Sequence, residues 1–236
     1  MPSISILIRL YNGVEYLPDS LQSVLDQTFT DWELLIGING HGADGNDGGD
    51  TYRIARHVIE TNCSSDQKAK IRLINYPDVK GGAETMNALA KDANADWVAI
   101  LDVDDIWHPE KLQEQNSIRS THLLMPDVIG TRCQYFGAMS GSPDIPTGFI
   151  DISQFKSANP MINSSILMKK ELLYCTDQFY GMDDYDLWCR LILQNKIFYN
   201  VDSVLTYHRI SPNSHYNASK KQDPDALRRF YFSSLT

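Results

Sequence analysis

A chain of 236 residues with a formal net charge of −9 is long enough for one large α/β domain or two small ones. With 42% hydrophobic and 22% charged residues it has the composition of an ordinary water-soluble globular protein. Its isoelectric point near 5.0 argues against a broad phosphate-binding face for nucleic acid, but not against a local pocket for a phosphorylated small molecule. Cys63, Cys133, Cys175 and Cys189 are dispersed, with no C-x-x-C pair, and predict free thiols rather than a zinc site or a disulfide framework. No apolar run approaches membrane-spanning length, and the opening MPSISILIRLYNG lacks the basic segment and cleavage pattern of a secretory signal. A cytoplasmic protein is expected.

The first predicted strand, residues 3–10, is short and β-branched (SISILIRL), and YNG stops it. Leu17, Leu21, Val24, Leu25 and Thr28 then recur at helical spacing. A second apolar strand covers 32–39 (WELLIGIN), followed by the glycine-rich stretch GHGADGNDGGD and a helix near 51–61. KIRLINY (70–76) reads as a third strand, GGAETMNALAKDA as a helix opening on glycines, and DWVAILDV (96–103) as a fourth strand. Pro109 suits the first turn of a helix running to about residue 124. This alternation predicts a mostly parallel sheet with helices on both faces. Ligands in such sheets bind beyond the carboxyl ends of strands, where LYNG, INGHG and LDVDD fall.

The second half is less regular. DVIGTRCQYFG (127–137) reads as a strand, 138–148 as a turn-rich surface loop, and MINSSILMKKELL as a strand entering a short helix. DDYDLWCRLILQN (183–195) is an amphipathic helix with Leu187, Trp188, Leu191 and Ile192 facing inward. With no internal repeat and no long linker, residues 1–236 are expected to form a single domain.

The LDVDD stretch sets Asp102, Asp104 and Asp105 side by side. A helix start nearby accounts for one carboxylate as a cap, but not for three. Carboxylate oxygens suit hard cations such as Mg²⁺ or Mn²⁺, and Mg²⁺ takes one or two of them and completes its shell with water and substrate phosphate. In a D-x-D at a strand end one aspartate can hold the metal while the other holds a neighbouring hydroxyl. A cation bridging a diphosphate would neutralise charge on a departing nucleotide. A second acidic cluster, Asp183, Asp184 and Asp186, opens the helix that begins at 183.

Four motifs in order make the chain resemble the family 2 glycosyltransferases, from residue 3 to about residue 215. They are SISILIRLYNGVEYLPDSLQSVLDQTFTDWELLI, GGAETMNALAKDANADWVAILDVDDIWHPEKL, the acidic helix GMDDYDLWCRL, and the late loop YHRISPNS. The resemblance implies the GT-A fold: a Rossmann-like, mostly parallel central sheet flanked by helices, with a smaller acceptor-side region in the second half. It implies a nucleotide-sugar-binding half at 1–105, an acceptor-binding half at 106–215 and a tail at 216–236. The implied activity is transfer of a sugar, with inversion, from a nucleotide-diphosphate sugar to a hydroxyl of a glycan, polysaccharide or lipid-linked acceptor.

Carried over by position, Asp104 is the expected ligand of Mn²⁺ or Mg²⁺. Asp102 is expected to contact the ribose or sugar or to support the metal shell, and Asp105 to support the site from behind or to cap the following helix. Leu10, Tyr11, Asn39, Lys80, Asn87, Val103 and Arg209 are expected around the donor, with Tyr11 near the base and Arg209 near the diphosphate. Asp184 matches the general base that takes the acceptor's proton on the face opposite the leaving group. Asp183 replaces the usual Glu, and Asp186 is expected to meet the helix-start backbone or Arg190 one turn on.

The chain also departs from the family pattern. The common V-D-D-G-S is GINGHG here. Asn39 can accept a hydrogen bond from uracil N3–H through its amide oxygen, though its NH₂ can also donate, so uracil stays the favoured base. Ser211 stands where many members have His, which leaves His208 as the candidate third metal ligand. Arg9 is expected to meet a phosphate or the base, or to pair with a nearby acid. In the tail, Lys220, Lys221, Arg228 and Arg229 alternate with Leu227, Phe230, Tyr231 and Phe232. That pattern fits a closing helix packed on the domain or a peripheral membrane contact serving a lipid-linked acceptor. Two other functions are compatible with the fold: a nucleotidyltransferase, for which no basic glycine-rich triphosphate motif is present, and a non-catalytic nucleotide-sugar binding module.

Overall fold

The computed structural model describes residues 1–39, 48–121, 123–211 and 222–233. The glycine-rich stretch at 40–47, together with Asn213, Ser214, His215, Lys220 and Lys221, lies outside the described residues. Four strands are parallel: β1 (Ile4–Leu10) between β2 (Trp32–Asn39) and β4 (Trp97–Ile100), and β3 (Ile71–Tyr76) outside β2. The crossovers are α1 (Leu17–Leu25), then α2 (Gly48–Asn62) with the short α3 (Ser65–Lys68), then α4 (Gly82–Asp92).

Beyond β4 the sheet continues through β8 (Leu167–Lys169), β6 (Val128–Gly137), β9 (Phe198–Ile210) and the short β5 (Ile106–Trp107), and β7 (Gly148–Ile150) pairs with the start of β9. β8 runs antiparallel to both of its neighbours, while β6 and β9 are parallel to each other. The remaining helices are α5 (Lys111–Thr121), α6 (Ile152–Ser157), α7 (Asp183–Leu193) and α8 (Pro224–Phe232). None of the described helices is long and apolar enough to cross a membrane.

Strand alternation divides β1 between two cores. Ile4, Ile6, Ile8 and Leu10 pack with Leu17, Leu21 and Val24 of α1, Ala55 and Val58 of α2 and Leu112 of α5. Leu7 faces the opposite core, with Met86 and Leu89 of α4, Leu187, Trp188 and Leu191 of α7, and Leu227 and Phe232 of α8. Each such buried aliphatic side chain contributes about 2 kcal/mol of transfer free energy. Arg9 falls on the Leu7 face by the same alternation, which points a cation toward α4 and α7.

Two expectations change. The helix after Pro109 ends at Thr121, short of residue 124, and Leu123 and Leu124 are exposed, so no core contact holds a further turn. The 13-residue β9 was not anticipated, and YHRI, read as part of a loop, is its last four residues, paired with Gln134–Gly137. Its period is broken locally. Thr131 pairs with Val201 but Arg132 with Val204, so Asp202 and Ser203 form a bulge that hides the two-residue repeat.

Gly130 in β6 marks the tightest point of this half. A Cβ there would lie 2.2 Å from Asn200 Oδ1 and 2.8 Å from Met161 Cε, and Asn200 is fully buried. Gly130→Ala is expected to cost about 1–3 kcal/mol, read as a lower urea midpoint at unchanged m-value.

Candidate active site

The carboxyl ends of β1, β2 and β4 converge on the two acidic clusters. Past Ile100 the chain turns, the Asp105 N–H donating to the Asp102 carbonyl at 3.0 Å. The Asp102 carboxylate is held from one side. Asn163 Nδ2 donates to its two oxygens at 3.1 and 3.0 Å, Ser164 Oγ donates at 3.2 Å, and Arg9 Nε lies 3.7 Å away. Asp105 is fully buried and accepts from the Arg209 N–H at 2.8 Å, with His208 Nδ1 2.9 Å from Oδ2. Asp104 differs. Burial, Asp105 and Asp102 together push its carboxyl up to about 7, and no described cation pairs with it. It is the member of the trio left open to a positive ligand.

The second cluster faces the first across Arg9. Arg9 Nη1 donates to Asp183 at 2.5 Å, and Gly82 makes room for it, since a Cβ there would lie 2.7 Å from Nη1. Burial alone would lower the Arg9 guanidinium, but Asp183 and Asp102 outweigh it and hold the charge firmly. Asp184 follows on α7, and Asn159 Nδ2 donates to it at 3.0 Å. Burial first, then Asp183 and Asp102, push its carboxyl up to about 6, close to the value a general base needs near neutral pH. Asp186 is fully buried and serves a different end. It accepts from Arg190 Nε at 3.0 Å, from Thr176 Oγ1 at 3.0 Å and from the Tyr231 hydroxyl, tying α7 to α8.

The other anticipated residues are spread around this centre. Asn39 is buried at the end of β2, its amide 3.5 Å from the Gly81 carbonyl. Tyr11 is 53% exposed just past β1. The side chains of Leu10 and Val103 are in the core, so what they can offer a ligand is main chain. Lys80 is exposed, its N–H donating to Glu84 at 3.1 Å. Asn87 grips the backbone of Cys175, accepting its N–H at 2.8 Å and donating to its carbonyl at 2.9 Å. Arg209 is wedged between the rings of Tyr16 and Phe136, with its Nε on the Asp104 carbonyl at 2.9 Å and its guanidinium on Asp19 at 3.2 Å. His208 is raised to about 9, burial being outweighed by its bond to Asp105 and by Asp102 and Asp104. As an imidazolium it can take a metal only through Nε2, and only after giving up a proton.

Asn159, Asn163 and Ser164 were not singled out from the sequence, although they touch both clusters. Their signal was an Asn/Ser-rich run around a proline, SANPMINSS, which marks a polar loop without saying which carboxylates it meets. Among the described residues no three His, Cys, Asp or Glu side chains form a ready-made metal cage. One open carboxylate supported by a second is nonetheless the donor set that suits Mg²⁺ or Mn²⁺ shared with a substrate phosphate.

Residues 5–117, from β1 through most of α5, match the model of glycosyl transferase family 2. The matched segment belongs to this family. The glycosyltransferase is 24% identical over 223 residues, 91% of its own length and 80% of the other's, to WfaP of Escherichia coli, a UDP-Glc:alpha-D-GlcNAc-diphosphoundecaprenol beta-1,3-glucosyltransferase. Its fold is that of Staphylococcus aureus TarS, solved with UDP-GlcNAc (TM-score 0.72, 16% identity, covering 93% of this chain and 61% of that one). It is also that of the mannosyltransferase PcManGT of Pyrobaculum calidifontis, solved with GDP-Man and Mn²⁺ (TM-score 0.66, 14% identity, covering 100% and 70%). The glycosyltransferase therefore has the GT-A architecture.

Proposed function

We propose that this glycosyltransferase transfers a sugar, with inversion, from a UDP-sugar to a hydroxyl of a glycan or lipid-linked acceptor, with Asp184 as general base. The observation that carries this is the opposition of the two acidic clusters across Arg9, which lies 3.7 Å from Asp102 and 2.5 Å from Asp183. Residues 1–105 bring the donor side and 106–215 the acceptor side. Asp104, with Asp102 beside it, would hold the divalent cation, which when bound supplies positive charge to the departing nucleotide diphosphate. Asp102, fixed by Asn163 and Ser164, orients the donor. The Tyr11 ring and the Asn39 amide receive the base. Asp184 takes the proton of the attacking hydroxyl as the new glycosidic bond forms and the bond to the diphosphate breaks. UDP-sugars and a diphosphate-lipid acceptor appear in the name of WfaP, which supports this choice of donor and acceptor class.

Calorimetric titration with UDP, GDP and dTDP, each with and without Mn²⁺, tests the donor assignment. UDP is expected to bind tightest, and only with Mn²⁺ present. Tighter binding of GDP would replace the base assignment, and no binding of any of the three would end the enzymatic reading.

A further inference from the structure

Asp184 is a carboxylate on the first turn of a helix, free to rotate about two bonds unless something outside the helix holds it. The described contact from outside α7 is Asn159. The direction of that hydrogen bond is settled by the amide's other end, because Asn159 Oδ1 accepts the Met161 N–H at 3.2 Å. That bond places the NH₂ group toward Asp184, where it donates at 3.0 Å.

The segment carrying Asn159 is itself anchored. Asn200, buried in β9, donates to the Pro160 carbonyl at 3.0 Å and to the Pro146 carbonyl at 2.8 Å. Ser165 closes a turn on the Ile162 carbonyl through its N–H at 2.9 Å and its Oγ at 2.7 Å. Four residues after Asn159, on the same anchored stretch, Asn163 donates to both oxygens of Asp102. One short segment thus grips a carboxylate from each cluster. The Tyr185 hydroxyl, next to Asp184, donates to the Phe155 carbonyl at 2.5 Å, so α7 is tied to the stretch leading into that segment as well.

Resting on the assignment of Asp184 as base, we infer that Asn159 is a positioning residue. It fixes the Asp184 carboxylate, and the 159–163 segment sets its placement relative to Asp102, so that donor and base are held by one rigid strap. Positioning of this kind acts on the reacting geometry rather than on affinity, and a misplacement of about 1 Å costs on the order of 100-fold in rate.

Asn159→Asp is the sharpest test. It keeps the size of the side chain and the acceptor for the Met161 N–H, and replaces the donor that faces Asp184 by a second carboxylate oxygen, which also sets a like charge beside Asp184. Expected is a fall in kcat of about 10- to 100-fold, with the Mn²⁺-dependent UDP dissociation constant, the donor KM and the melting temperature within twofold or a few degrees of wild type. Asn159→Ala, which removes the donor without adding a charge, should lower kcat less and likewise leave UDP binding intact, and it substitutes for the first variant if that one does not fold. A kcat unchanged in both variants overturns the inference, as does a loss of UDP binding in step with kcat, which would make Asn159 a structural residue. Asp184→Asn, assayed in parallel, separates this from the base assignment. If Asp184→Asn is inactive and the Asn159 variants are normal, only the strap fails. If Asp184→Asn turns over normally, the base assignment fails.

Discussion

Asp184→Asn is expected to lose turnover by about 10²–10⁴-fold, the usual worth of a general base, while binding UDP with Mn²⁺ as wild type does. The substitution is nearly isosteric and leaves an amide oxygen to accept from Asn159, so the fold and the donor side are undisturbed. The amide has no basic lone pair for the acceptor proton, and only the chemical step suffers. The wild-type pH profile gives an independent check. Burial, Asp183 and Asp102 raise the carboxyl to about 6, and the base works only when ionised. The acidic limb of kcat/KM should therefore rise with pH and level off above about 6, where an ordinary exposed aspartate would level off near 4. A profile flat from pH 5 to 8, or normal turnover in the variant, would move the base elsewhere.

Asp104→Ala is expected to weaken Mn²⁺-dependent UDP binding by about a hundredfold or more, since a cation bridging a diphosphate is worth several kcal/mol. A second consequence has the opposite sign. In the protein without metal this carboxyl ionises at about 7, against 3.8 for the free side chain. Between those values the unfolded chain binds fewer protons than the folded one, so this group erodes stability as pH rises from about 4 to 7. At pH 8, without metal, Asp104→Ala should therefore melt no lower than wild type. Lost ligand affinity together with retained or increased thermal stability marks a binding residue. A joint loss of both would mark Asp104 as a fold residue instead.

The parallel half of the sheet was legible in the sequence because its central strands, β1 and β2, are buried on both faces. ISILIRL and WELLIGIN are mostly apolar runs, the helix between them carries clear 3.6-residue periodicity, and that one crossover sets β1 beside β2. The second half was harder to read for local reasons. β9 is interrupted by the Asp202–Ser203 bulge, and β5 and β7 are two and three residues long. None of these leaves a periodic trace long enough to recognise.

The amino-acid sequence by itself determined the chemistry available: two acidic clusters, one at the end of a central strand and one at the start of a late helix, and a lone arginine in the first strand. Residue type and strand or helix position suffice for that, because a strand end or a helix start is a local property of the chain. The tertiary structure alone decided the pairing. Arg9 and Asp183 are 174 positions apart, Asn163 and Asp102 are 61 apart, and His208 Nδ1 pairs with Asp105, 103 positions earlier. Such contacts depend on which elements the sheet order sets side by side. The polar loop at 159–165 acquires its partners only when the buried Asn200 pins it between the two clusters, a long-range constraint with no counterpart in local periodicity.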